Sequence, residues 1–115
     1  MSDGIVGVLQ FAVDSLSLQQ QTTANNIAND QTPGYTAQEV SFEQSLQQAI
    51  SSPTGGPATA TVTSSPAVPG SNGNNVDLPT EMTQATQETM QYQTMVELLN
   101  AQFRLVQGAA GGSFQ

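Results

Sequence analysis

The sequence predicts a mainly α-helical chain, with two long terminal helices forming an antiparallel coiled-coil-like hairpin and a short helix and a flexible loop between them. Three observations predict it. Apolar residues recur at steps of three and four through both ends of the 115-residue chain. A Pro-Gly pair at residues 33–34 interrupts the pattern. A charge-free stretch of Ser, Pro, Thr, Gly, Ala, Asn and two Val separates the two halves.

The first helix is expected over residues 5–29. Val6, Leu9, Val13, Leu16 and Ile27 share one stripe, and Gln20 and Thr23 continue it as polar members. Such polar positions either set the register of a seam at some cost in stability or lie on a solvated face. At 1.5 Å per residue the helix would span roughly 36 Å. Gly4 and Gly7 soften its start. It should fail around Asn29-Asp30, before Thr32-Pro33-Gly34-Tyr35. Pro33 presets the first central angle of a type II turn and Gly34 accepts the positive second one. Within 30–50, residues 35–41 then read as extended, and Ser41 with Gln44 suits a capping box. The short helix it opens carries Phe42, Leu46, Ala49 and Ile50 on one face and ends before Pro53.

Residues 51–75 carry no charge and no aromatic ring, so burial cannot offset their ordering entropy. They read as a flexible linker or loop. The second long helix is expected over 77–108, with Asp77 as N-cap, Pro79 in the first turn and Glu81 against the helix dipole. Its stripe of Leu78, Met82, Ala85, Thr89, Tyr92, Val96, Leu99, Phe103 and Val106 alternates steps of four and three. Gly108 is the expected stop, and 109–115 is a tail without a structure signal. One seam makes a thin bundle within a single domain. Copies or relatives must therefore cover the remaining apolar edge, including Met95 and Leu98.

Composition narrows the function. The apolar share is 37%, below the roughly 45–50% of ordinary domains, a count that also includes glycine, and aromatics are only 5%, so partners are expected to supply part of the burial. Only 9% of residues are charged: nine Asp and Glu against a single Arg104, with no Lys, for a net charge of −8. That balance excludes nucleic acid as a partner and argues against an anionic membrane surface. No apolar run approaches the ~18–20 residues of a membrane span, so direct membrane insertion is not expected. The amino terminus lacks the positive start of a cleaved signal peptide. Without His, Cys or Lys there is no nucleophilic triad, Ser–Lys pair or P-loop. Glu39 with Glu43, or Glu81 with Glu88, could pair, yet no electrophilic partner stands nearby. The stretch Ser71–Asp77 has too few carboxylates for a calcium loop and reads as a turn. The chain is expected to be no enzyme, with no cofactor, no metal and no small-molecule substrate.

Two motifs exceed composition. Ala24-Asn25-Asn26-Ile27-Ala28-Asn29-Asp30-Gln31-Thr32-Pro33-Gly34-Tyr35 closely resembles the N-terminal signature of the flagellar rod and hook axial proteins, an Asn-Ile-Ala-Asn core followed by Thr-Pro-Gly-Tyr. Gly73-Asn74-Asn75-Val76-Asp77-Leu78, followed by Glu81-Met82 and Tyr92-Gln93, is similar to the C-terminal segment of proximal-rod members of that family. The spacing of Val40, Phe42 and Leu46 and the short chain suit the same members. The resemblance covers residues 15–50 and 73–107. The chain departs from it where Gln and Thr replace basic residues of the first helix and after the Tyr, at Pro79 in place of an acidic residue, and at Gly111-Gly112 in place of a charged tail.

The resemblance implies a structural subunit of the proximal rod of the bacterial flagellar basal body, on the periplasmic side of the inner membrane. It implies export by the flagellar type III apparatus without signal cleavage. Assembly would proceed by helix packing with copies of itself, other flagellar rod proteins and the adaptor at the rod base. The residues expected at subunit interfaces are Asn25, Asn26, Ile27, Asn29, Pro33, Gly34 and Tyr35 in the first motif. On the second helix they are Leu78, Met82, Tyr92, Val96, Leu99, Phe103 and Val106. An apolar stretch near the amino terminus, with Ile5, Val6, Val8 and Leu9, is the segment that the flagellar export gate would read. Two readings of the asparagines stay open: a fraying helix end capped by Asn, or amide hydrogen bonds that fix the turn and a neighbouring subunit. Tyr92 and Phe103 are either interface anchors or ordinary seam packing. A small acidic helical type III export chaperone, or another cytosolic binding module, is the alternative that acidity and size also fit.

Overall fold

The structure is a computed structural model that describes residues 2–51 and 59–110. Its elements in chain order are α1 (Ser2–Ala28), β1 (Gln38–Ser41), α2 (Glu43–Ser51), β2 (Thr61–Ser64) and α3 (Leu78–Ala110). The long terminal helices dominate an elongated molecule of 64 × 27 × 14 Å.

Helices α1 and α3 lie side by side, and paired positions rise along α1 as they fall along α3. Gln20 donates to Thr89 at 3.4 Å, Thr23 to Glu88 at 3.0 Å and Asn26 to Glu81 at 2.7 Å. The α3 face turned inward is Leu78, Glu81, Ala85, Glu88, Tyr92, Met95, Leu99, Gln102 and Val106, all buried or half-buried. These positions keep the heptad spacing and share Leu78, Ala85, Tyr92, Leu99 and Val106 with the expected stripe. The intermediate positions differ. Glu81, Glu88, Met95 and Gln102 stand where Met82, Thr89, Val96 and Phe103 were expected to complete the seam. Met82, Thr89 and Phe103 are exposed, and Val96 stays half-buried at the margin.

Helix α1 is covered on a second side by β1 and the start of α2. Its buried face therefore widens beyond one stripe to include Ala12, Ser15, Leu16, Thr22, Thr23 and Asn26. Phe42, directly after β1, packs its ring edge-to-face on Phe11, with centroids 6.1 Å apart and planes at 76°. The buried apolar core among the described residues is small: Ala12, Leu16, Ala37 and Phe42. A core this thin leaves polar contacts to define how the elements dock.

Local expectations divide. Helix α1 ends at Ala28, and Tyr35 N donates to Thr32 O at 3.3 Å across Pro33-Gly34, with Gly34 at φ 74°. Those are the features of a type II turn. Asp77 O accepts the first helical bond of α3 from Glu81 N at 2.9 Å, which makes Asp77 the N-cap. The cap of α2 is Phe42 rather than Ser41. Phe42 O accepts from Leu46 N at 2.8 Å, and the Glu43 carboxylate reaches back to Phe42 N at 3.2 Å. Ser41 is held in β1 by its pairing with Thr61. Ile50 is 61% exposed and does not join the face of Phe42 and Leu46. Helix α3 runs through Gly108 to Ala110. Two alanines directly after a glycine that is not in the left-handed region let the helix continue.

The expected flexible connector contains an ordered strand. β2 pairs antiparallel with β1 in the register Gln38↔Ser64, Glu39↔Thr63, Val40↔Val62 and Ser41↔Thr61. All four β2 residues are exposed, so backbone pairing and the β-branched Thr-Val-Thr run hold the strand, not burial. Residues 52–58 of the connector lie outside the described residues.

Candidate functional site

The two signature segments, far apart in sequence, meet in one hydrogen-bonded junction where α1 ends and α3 begins. Its centre is Asn26, 2% exposed. Its amide nitrogen donates to Gln38 O at 2.9 Å and to Glu81 Oε1 at 2.7 Å. Its amide oxygen accepts from Gln38 N at 3.0 Å and from Tyr35 OH at 3.1 Å. Two donors and two acceptors exhaust the capacity of an asparagine side chain. Asn26 thus pairs with the β1 backbone as a strand would, and ties α1 to the turn, the ribbon and α3 at once.

Asn29 closes the end of α1. Its side chain donates to Asn25 O at 2.8 Å and accepts from Thr32 Oγ1 at 3.1 Å. The second segment then grips the first. Asn74, 7% exposed, donates to Asn29 O and Thr32 O, both at 2.8 Å, and accepts from Val76 N at 2.7 Å. Asn75 accepts from Ala37 N at 2.7 Å and donates to Ser65 O and Ala67 O. Gly34 N donates to Asn72 O at 2.9 Å. Both glycines of the junction have positive φ, 74° at Gly34 and 80° at Gly73.

Polarity continues along the seam. Glu88 is 7% exposed; Oε2 accepts from Thr23, while Oε1 is buried without a hydrogen-bond partner among the described residues. Burial pushes the Glu88 carboxyl above its ordinary range. The Thr23 hydroxyl opposes that shift and the neighbouring Glu81 charge adds to it. Among the described residues no cluster of three or more His, Cys, Asp or Glu side chains could hold a metal ion. No described helix is long and apolar enough to cross a membrane.

The residues singled out from sequence therefore fall into three settings. Asn26, Asn29, Gly34 and Tyr35 are joined in the junction, with Ile27 half-buried beside them and Asn25 and Pro33 exposed. Leu78, Tyr92, Val96, Leu99 and Val106 are half-buried along α3, whereas Met82 and Phe103 are exposed at 56% and 39%. Ile5, Val6, Val8 and Leu9 lie in the first turns of α1, with Ile5 exposed and the others half-buried. Sequence reasoning missed the gripping roles of Asn74 and Asn75 and the burial of Glu88. The Gly-Asn-Asn run before a helix cap was a signal for the first two, because Asn side chains readily bond nearby backbone in turns. Nothing local marks Glu88.

A family model described as flagella basal body rod protein matches residues 9–36, which hold most of α1 and the whole Pro-Gly turn. The chain is 34% identical over 113 residues to a protein of Bacillus subtilis (strain 168) named flagellar basal body rod protein FlgB, covering 87% of this chain and 88% of the relative. It is 32% identical over 128 residues to the protein of that name from Salmonella typhimurium, covering 90% and 93%. It is 30% identical over 130 residues to that of Escherichia coli (strain K12), again covering 90% and 93%.

Proposed function

Because this chain belongs to the FlgB family of flagellar basal body rod proteins, and is a structural subunit of the rod rather than an enzyme, we propose that it occupies the proximal end of that rod and assembles through helix packing. The family assignment decides between the rod subunit and the small acidic export chaperone in favour of the subunit. Helices α1 and α3 act as an antiparallel coiled-coil-like hairpin, and the junction of the two signature segments holds them at a defined angle to the ribbon. Neighbouring subunits, copies of the chain and the adaptor at the rod base pack against what the hairpin leaves open, Met82 and Phe103 foremost. The chain reaches the periplasmic side of the inner membrane through the flagellar type III apparatus without signal cleavage, with Ile5, Val6, Val8 and Leu9 read by the export gate.

The observation that carries this reading is the fully bonded Asn26 amide. A monomer with so small an apolar core has little else to fix the relation of its parts, and a subunit must present its faces in one geometry. The test is mass spectrometry of purified hook–basal bodies from strains with and without the gene. Peptides of this chain in the wild-type particles, and missing rods in the deletion, are expected. A chain that stays in the cytosol bound to an export substrate would overturn the assignment to the rod.

A further inference from the structure

A groove of about 440 Å³ runs between α1, the β1–β2 ribbon and α3. Its walls carry the carboxylates of Glu39, Asp77, Glu81 and Glu88, with Thr23 and Gln84 beside them. Glu88 is more than nine-tenths buried, and its Oε1 lacks a hydrogen-bond partner among the described residues. A buried carboxylate oxygen left without a donor is costly unless something outside the chain completes it. No described residue of the chain supplies a cation there. The chain has no Lys and no His. Its single cation, Arg104, lies on the same helix roughly 24 Å further along at 1.5 Å per residue.

We propose that this groove receives one arginine or lysine side chain from a basic partner chain, whose cationic head pairs with Glu88 Oε1. The groove walls suit such a guest. Hydroxyl and amide groups of Thr23 and Gln84 accept the outer hydrogens of the cation, and Glu81 adds a second negative charge close by. Charge selects the kind of partner. A second copy of this chain, at −8 with a single Arg, has little cation to offer the groove, whereas a basic segment of another chain is drawn to it. The guest cation also removes the strain of the seam, because it favours the ionised form of Glu88 that burial and Glu81 disfavour. The proposal rests on the reading of the chain as a subunit that packs against other proteins.

The test uses the full chain, labelled for nuclear magnetic resonance, titrated with N-acetyl-arginine amide and separately with its neutral isostere N-acetyl-citrulline amide. The arginine probe is expected to move the amide signals of Thr23, Gln38, Gln84 and Glu88. Binding at least about tenfold weaker is expected for citrulline, and for arginine with the Glu88→Gln variant. The Glu88→Gln chain should keep its fold, since it loses only a buried charge. Gln84→Arg provides a second check, because it places a guanidinium in the groove and should exclude the probe while raising the melting temperature. Equal response to arginine and citrulline, or unchanged arginine binding in Glu88→Gln, would overturn the proposal. Self-association of the chain that disappears in Arg104→Gln would assign the cation to a second copy and overturn the choice of partner. Either failure sinks the cation site alone, because rod assignment is read from hook–basal bodies and not from this titration.

Discussion

Gly34 and Gly73 stand back to back: a Cβ built on Gly73 would lie 3.3 Å from the Gly34 Cα and 3.5 Å from its nitrogen. Each glycine also holds a positive φ. The contact joins the turn that ends the first signature to the turn that begins the second, so neither can shift without the other.

Gly73→Ala should therefore destabilise the chain more than Gly34→Ala. Both substitutions carry the penalty of the left-handed region, about 1–2 kcal/mol for a residue with a Cβ. Only Gly73→Ala adds a clash with backbone, since open space surrounds a Cβ at Gly34. Denaturant midpoints of the two variants decide it, and equal midpoints would show that the close approach is relaxed at no cost. A β-branched residue at Gly34 adds further strain at the turn, and a strain carrying only Gly34→Val should lose motility.

Asn26 offers a sharper test. Asn26→Ala removes four hydrogen bonds and leaves both polar groups of the Gln38 backbone unpaired on that side. The expected loss is about 3 kcal/mol. Asn26→Asp keeps the shape but sets a carboxylate against Gln38 O and Glu81 Oε1, and should cost at least as much. Asn25→Ala, at the exposed neighbour, should stay within about 0.5 kcal/mol of the parent. Similar losses at Asn25 and Asn26 in urea denaturation would contradict the network.

These contrasts show what was legible in the chain before its structure. The Pro33-Gly34 turn and the Asp77 cap were readable because their chemistry is local: one residue type satisfies a need a few positions away. The seam of α3 was readable only at every seventh position. Leu78, Ala85, Tyr92, Leu99 and Val106 serve two registers equally, and hydropathy favours completing them with Met82, Thr89, Val96 and Phe103. The fold completes them with Glu81, Glu88, Met95 and Gln102, because α1 presents Asn26 and Thr23 as donors to Glu81 and Glu88. A pattern within one helix cannot register a hydrogen-bond donor supplied by another. The same limit hid β2, whose partner strand lies beyond the connector.

Glu88 makes stability depend on pH in a predictable direction. Its carboxyl is raised in the folded chain, chiefly by burial. The folded state therefore holds a proton that the unfolded chain has already released. Stability contributed by this group falls as pH climbs from the ordinary value of 4.5 through the raised folded value, and the penalty is absent below that window. Glu88→Gln should remove this slope and be more stable than the parent at neutral pH. Chemical denaturation across the window measures the difference between the two proteins. A difference that does not change with pH would mean that Glu88 is solvated.

The divided stripe of α3 separates folding from assembly. Leu99 is half-buried in the seam, and Leu99→Asp places an unpaired charge there. It should cost the isolated chain about 2 kcal/mol or more and abolish rod assembly with it. Met82 shares the stripe by spacing but is 56% exposed. Met82→Asp should leave the melting temperature of the isolated chain almost unchanged, within the ~0.5 kcal/mol typical of surface changes. It should nevertheless impair motility, because the proposed interface takes in this exposed flank and a charge there would go unpaired. Melting of both purified variants, beside swimming of strains carrying each as the only copy, separates the two roles. Full motility with Met82→Asp would remove that flank from the interface, and a motile Leu99→Asp strain would refute the seam.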